Sequence, residues 1–274
     1  MIFSPGMWYI VENAQIWEDN AVFLKILLIL LIIPAAFLAL TLLFLLVMAV
    51  SMLFVDTNRL YDRINPYYRF LADGTDWIVL FYSNVRVHLI GEEKLPKESL
   101  YLLVSNHRSG YDPLCTMYAL RKEKPIFISK PENFQIPAIG RLARSVCFRP
   151  IDRENARNAL ATIKDCAKLL KNNVAPVAVY PEGTRSKTGD LLPFHNSVFK
   201  IAQEANVPIV VMTVKGTDRI RSNAPWHKTD VALTILDVLS AEHVKASRTA
   251  QLGEEIRQIM MADLGNADSI AAHV

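Results

Sequence analysis

Apolar residues are spread unevenly along the 274-residue chain. From Ile26 to Val55 thirty consecutive residues carry no charge, whereas beyond Ser99 short apolar runs alternate with segments of helical period. An α-helix crosses the roughly 30 Å hydrocarbon layer of a bilayer with about 20 apolar residues. Ala35 to Val55 supplies 21 once Pro34 has broken or kinked the run. The segment reads as a retained anchor: only Lys25 offsets Glu12, Glu18 and Asp19 ahead of it, so it lacks the basic start of a signal peptide, and it is too long for one. One spanning helix is expected, with Pro34 leaving a re-entrant hairpin open. Arg59, Arg63 and Arg69 follow, and the positive-inside bias puts the rest of the chain in the cytoplasm, a membrane protein whose domain faces inward.

Tyr61 to Tyr82 holds seven aromatics in 22 residues. That density suits a helix at headgroup level, and equally suits rings packed on a globular domain. The chain thus divides into an anchoring region, 1–84, and a globular region, 85–274. In the latter the candidate strands are Leu100 to Val104, Pro125 to Ser129, Ser145 to Phe148, Pro176 to Tyr180, Pro208 to Val214 and Val231 to Leu236. The candidate helices are Pro113 to Arg121, Glu154 to Lys171, Val198 to Glu204 and Ser247 to Leu264. Strands that are apolar throughout, separated by helices, indicate an α/β layered domain with a mostly parallel buried sheet flanked by helices. Arg219 to Lys228, with Pro225 and Trp226, reads as an irregular insertion.

Composition narrows the classes. With 51% hydrophobic and 21% charged residues and a mean hydropathy of +0.20, the chain is not a disordered or low-complexity protein. A net charge of only +3 is too mild for a nucleic-acid footprint, so no nucleic-acid partner is expected. Between Arg121 and Leu160, however, nine Lys and Arg stand against four acids. This local excess suits phosphate groups or anionic lipid, with ordinary solvated surface charge as the plain alternative. Cys115, Cys147 and Cys166 show no C-x-x-C spacing, which fits a reducing compartment and argues against a disulfide scaffold or a zinc site.

Two strand ends carry candidate chemistry. The first runs into Ser105-Asn106-His107-Arg108-Ser109-Gly110-Tyr111-Asp112-Pro113, where Asp112 as N-cap and Pro113 at the first helical position make an economical helix start. His107 can fold back so that Asp112 holds one imidazole nitrogen and the other is free as a base. An imidazole whose tautomer is fixed by a carboxylate deprotonates a hydroxyl near neutral pH. The second strand end is Tyr180-Pro181-Glu182-Gly183-Thr184-Arg185-Ser186. Strand ends on one sheet edge lie together, so the two loops can share a crevice. There Gly183 permits close backbone approach, Arg185 offers a planar fork to phosphate or carboxylate, and Glu182 orients it. A surface turn with a local Glu–Arg pair is the plain alternative.

His107-x4-Asp112 within Asn-His-Arg-Ser, followed about 75 residues later by Glu182-Gly183-Thr184-Arg185-Ser186, resembles the glycerolipid acyltransferases typified by 1-acyl-glycerol-3-phosphate acyltransferase. The resemblance covers roughly Val85 to Leu264. It implies transfer of a fatty acyl group from acyl-CoA or acyl carrier protein to the free hydroxyl of a lysophospholipid, foremost 1-acyl-glycerol-3-phosphate to give phosphatidic acid. No metal and no further cofactor is implied. His107 and Asp112 take the catalytic roles, and Lys130, Arg153, Glu182, Gly183, Thr184 and Arg185 bind substrate. Arg153, within Ile151-Asp152-Arg153, and Lys130, after Phe127-Ile128-Ser129, fall on the phosphate side. Val207-Pro208-Ile209-Val210-Val211 matches a further strand near the site.

Two departures stand out. Cys147-Phe148-Arg149-Pro150 replaces a common Gly ahead of the Ile-Asp-Arg block, and Phe194-His195-Asn196-Ser197 replaces Phe-Lys-x-Gly, removing one positive charge. Another lysolipid acceptor, or a catalytically silent membrane adaptor of the same fold, are the alternatives. A serine hydrolase needs G-x-S-x-G and a P-loop enzyme needs G-x-x-x-x-G-K-[ST], and neither string occurs.

Overall fold

The computed structural model describes residues 5–152, 155–186 and 188–265. The chain divides into two compact units, Met1–Ser51 and Met52–Val274. The first is formed by helix α1 (Pro5–Met52), in which Pro34 is an interior residue, so of the break or kink expected there no break occurs. One missing amide disturbs a 48-residue helix less than a full interruption, which would leave several backbone groups unpaired at membrane depth. Val22–Met52, 31 residues, is long and apolar enough by length and composition to cross a membrane. At 1.5 Å per residue that stretch extends roughly 46 Å, well beyond the hydrocarbon thickness. Its hydroxyls are turned inward, Thr41 donating to the Phe37 carbonyl at 2.9 Å and Ser51 to that of Val47 at 2.7 Å. Neither presents an unpaired donor to lipid.

In the second unit, helix α2 (Pro66–Tyr82) starts on Asn65, whose side chain accepts the Tyr67 amide, with Pro66 in the first turn. There follow β1 (Val85–Ile90), β2 (Leu102–Ser105), α3 (Asp112–Ala119), β3 (Ile126–Ser129), α4 (Ile139–Ser145), β4 (Arg149–Pro150) and α5 (Ala156–Lys171). The chain continues through β5 (Val177–Val179), α6 (Lys200–Ala205), β6 (Ile209–Lys215), α7 (Ile220–Asn223), β7 (Thr229–Leu239), α8 (Ala241–Ala246) and α9 (Thr249–Leu264). The sheet order is β1-β7-β6-β2-β5-β3-β4. From β6 to β4 the strands are parallel, while β7 runs antiparallel to β6 and pairs in parallel with β1. The expected layered α/β architecture is therefore the fold, with one reversed strand pair closing an edge.

Strand pleating sends alternate residues to opposite faces. Leu102, Val104, Val177, Val179, Ile209 and Val211 join a core with Ile163 and Leu169 of α5, Ile201 of α6 and Leu252, Ile256 and Met260 of α9. On another side α2 and α3 pack together and against β1. The aromatic stretch divides by face: Leu71, Ala72, Ile78 and Leu80 are buried, while Tyr67, Phe70, Trp77 and Phe81 stay exposed. Residues 61–82, read from sequence with the anchoring region, lie in the second compact unit.

Three further differences have local causes. Ser145 to Phe148, expected as a strand, is the end of α4 and a turn, and the strand itself is only Arg149–Pro150. Cys147 adopts φ 69°, a left-handed conformation that interrupts the extended run. It opens the Cys147-Phe148-Arg149-Pro150 stretch set apart in the sequence, and it takes a turn that glycine adopts more readily. The strand β1 was concealed by its mixed sequence Val-Arg-Val-His-Leu-Ile, whose residues are mostly half-buried. The segment read as an irregular insertion, Arg219 to Lys228, contains the short helix α7.

Candidate active site

Because β2, β5 and β6 are adjacent and parallel, their C-terminal ends open on one sheet edge. The loop after β2 places His107, whose Nδ1 lies 2.8 Å from Asp112 Oδ2. Its ring stacks on Tyr180, just beyond β5, with centroids 4.3 Å apart and planes 14° from parallel. One nitrogen and one face of the imidazole are thus committed, and Nε2 is the nitrogen available to a substrate.

Asp112 is fully buried. Its Oδ2 also accepts the amides of Arg108 at 2.7 Å and Ser109 at 2.8 Å, and its Oδ1 accepts the Thr217 hydroxyl at 2.5 Å. The expected N-cap role is therefore corrected: Tyr111 occupies the cap position, Asp112 begins the helix, and its carboxylate turns back into the loop. Charge-assisted bonds from three loop donors outweigh one capping bond.

Glu182 ties the two loops together. Oε1 accepts the His107 amide at 2.6 Å and Oε2 the Leu192 amide at 2.9 Å. Burial pushes this carboxyl above the usual glutamate range, and the Leu192 and His107 amides pull against that rise. Its expected pairing with Arg185 gives way to these backbone bonds, because a buried carboxylate next to two amides satisfies both oxygens without reaching outward. The Ser186 amide donates to the His107 carbonyl at 2.9 Å, a second tie between the loops. Gly183, at φ 72°, turns the chain where a side chain would be strained.

Thr184 and Arg185 are exposed. Arg185 Nη1 stands 3.6 Å from where a β-carbon on Gly110 would lie, which brings the guanidinium over the His107 loop. Lys130, also exposed, follows β3, next to β5 on the same edge. Arg153 lies outside the described residues. Arg149, within the basic stretch, is buried and bonded to the Cys147 and Tyr61 carbonyls, Asp62 and Asp165, so it is unavailable to a ligand. The basic stretch is thus not one patch.

Three residues that hold the site were not assigned roles from sequence. Asn106 is buried and bridges β2 to β6, accepting the Val214 amide at 2.7 Å and donating to its carbonyl at 3.0 Å. Thr217 and the Tyr180 ring complete the surroundings of Asp112 and His107. A polar Asn directly after a buried apolar strand was the one available signal. The cysteines supply no nucleophile: all three are buried and free, and burial raises the Cys147 thiol to about 11 and that of Cys166 to about 12.

The family model named Acyltransferase matches residues 86–215. The chain is 35% identical over 164 residues to a chloroplastic 1-acyl-sn-glycerol-3-phosphate acyltransferase of Brassica napus, an alignment covering 59% of this chain and 46% of that protein. It is 28% identical over 191 residues to the 1-acyl-sn-glycerol-3-phosphate acyltransferase of Saccharomyces cerevisiae, covering 65% and 59%. The chain therefore spans about half the length of these curated relatives. The crystal structure of the 1-acyl-sn-glycerophosphate acyltransferase from Thermotoga maritima shares the fold, with a TM-score of 0.58 at 20% identity over 85% of this chain and 96% of that one. The matched segment runs from β1 to the end of β6 and contains both site loops, and across it this chain is similar to the acyltransferase family.

Proposed function

We propose that the protein transfers a fatty acyl group from acyl-CoA or acyl carrier protein to the free hydroxyl of a lysophospholipid, with 1-acyl-glycerol-3-phosphate as acceptor and phosphatidic acid as product. The observation that carries this reading is the His107–Asp112 pair, 2.8 Å apart, with the carboxylate fully buried and the imidazole at the open sheet edge. His107 Nε2 takes the proton of the acceptor hydroxyl while Asp112 stabilises the imidazolium that forms. The oxygen attacks the thioester carbonyl, and the tetrahedral intermediate collapses with cleavage of the carbon–sulfur bond. The imidazolium returns its proton to the leaving thiolate, so the enzyme ends as it began.

The amides of His107, Arg108 and Ser109 are engaged with Glu182 and Asp112, so other donors serve the oxyanion. Arg185, Arg153 and Lys130 take the acceptor phosphate, and Glu182, Gly183 and Thr184 shape the loop that presents Arg185. Helix α1 anchors the chain in the membrane with the domain on the cytoplasmic side, which suits an acceptor and a product that both partition into lipid.

The test is acyl transfer by the purified protein to lysophosphatidate from radiolabelled acyl-CoA and, in parallel, from acyl carrier protein. A folded His107→Ala variant is expected to lose roughly 10²-fold to 10⁴-fold in rate. Wild-type turnover in that variant refutes the mechanism.

A further inference from the structure

We infer that Arg149 is a positioning residue that fixes the acceptor-binding edge at the ends of β3 and β4 by clamping it to the segment between α1 and α2. This rests on the acyl-transfer function proposed above. β4 is only two residues long and is held to β3 through Ile128↔Arg149 and Ser129↔Pro150, with the Ile151 amide donating to the Ser129 carbonyl at 2.9 Å. So short an edge strand has too few ladder bonds to fix itself. Yet its end adjoins Lys130 on the phosphate side and leads into Ile151 and Asp152.

The Arg149 guanidinium supplies what the ladder lacks. Nη1 donates to the Cys147 carbonyl at 2.9 Å, Nη2 to the Tyr61 carbonyl and to Asp62 Oδ1, each at 2.9 Å, and Nε to Asp165 of α5. One planar fork thereby joins three pieces of chain: the turn before β4, the segment leading into α2, and α5. The side chain is 2% exposed. An apolar residue would fill such a place without the desolvation cost of a charge, so the gain lies in geometry. Asp62, by contrast, is 51% exposed, which makes this arm of the clamp removable without opening the core.

The experiment uses the full chain in detergent and compares wild type, Asp62→Asn, Arg149→Lys and the double variant. Asp62→Asn is expected to raise KM for lysophosphatidate roughly threefold to tenfold, with kcat and the KM of acyl-CoA within about twofold, since it removes one arm of a coupled network without opening the core. The Ile151 amide should exchange faster while those of β2 do not. Arg149→Lys keeps the charge but loses the fork, so it should show the same split more strongly, and the double variant should be no worse than Arg149→Lys alone.

If Arg149→Lys does not fold, Asp62→Asn alone decides. Faster Ile151 exchange with both KM values unchanged would make the clamp purely structural and overturn the inference. A raised acceptor KM with unchanged exchange would put Asp62 in direct contact with the acceptor and overturn it as well. A wild-type protein that never acylates lysophosphatidate refutes the function proposed above and with it the positioning role, whereas an active wild type with an unaltered acceptor KM in Asp62→Asn overturns the positioning role alone.

Discussion

Replacing Asp112 by Asn tests the centre of the site, because every donor on its carboxylate is known. Oδ2 receives the His107 imidazole and the Arg108 and Ser109 amides, and Oδ1 receives Thr217. An Asn avoids a clash of donors only with its oxygen toward the first three and its NH₂ toward Thr217, whose hydroxyl then turns to accept. All three Oδ2 bonds survive but lose their charge assistance. A hydrogen bond to a charged group is worth about 1.5–3 kcal/mol and a neutral one about 0.5–1.5. Three such changes amount to roughly 3–4 kcal/mol, a large share of the typical 5–15 kcal/mol of a folded domain.

Asp112→Asn should therefore fold with a clearly lowered denaturation midpoint. Its single-turnover acyl-transfer rate should fall roughly 10²-fold to 10⁴-fold, because the imidazolium formed at His107 loses its counter-charge. Thr217→Val is the control. It strands only Oδ1, at a cost of about 1–3 kcal/mol in stability, and leaves the imidazole bond in place, so its rate should stay within about tenfold of wild type. A folded Asp112→Asn variant with near-normal rate, or a Thr217→Val variant as slow as Asp112→Asn, would refute the assigned division of labour.

Three other outcomes are expected. Arg185→Ala should lower the preference for lysophosphatidate over monoacylglycerol by roughly tenfold to a hundredfold in kcat/KM, the loss of one charge-assisted bond, and Lys should rescue it poorly; an equal fall for both acceptors would reduce Arg185 to bracing the loop. Burial on α2, opposed by Arg69, raises the Asp76 carboxyl to about 8. The folded state therefore holds this proton at pH values where the unfolded chain has lost it, so stability should decline by up to about 1.4 kcal/mol per unit as pH rises from about 4 to 8. Denaturant titrations should show that slope flattened in Asp76→Asn, and an unaltered slope would contradict it. A chain beginning at Met52 should fold, whereas one beginning at Val85 should not, since it lacks Leu71, Ala72, Ile78 and Leu80 of the buried α2 face; circular dichroism and proteolysis of the two proteins check this.

The apolar runs made the layered α/β domain legible, because strands of a sheet covered on both faces are apolar throughout. The strand β1, with Arg86 and His88 between its apolar residues, escaped that rule. His107, Asp112 and Glu182 were legible as a set because strand, polar loop and helix start follow one another in the sequence. What each carboxylate bonds to was not, since that depends on the loop folding back on itself and on partners from other strands. Asp112 looked like a cap because local spacing shows Pro113 but not Thr217, and Glu182 looked like a partner for Arg185 because adjacency along the chain hides the His107 amide. Charge counting likewise overstated the basic stretch, since Arg149 points inward.

The bond between Asp112 and Thr217 spans 105 residues of chain. At a synthesis rate of about 5–20 residues per second, His107 and Asp112 emerge from the ribosome roughly 5–20 s before Thr217. Until β5 and β6 have emerged and taken their places beside β2, neither the Tyr180 ring nor the Thr217 hydroxyl is there to fix the pair. The proposed general base is therefore without its full set of partners on the nascent chain until β6 and the Thr217 that follows it have docked beside β2.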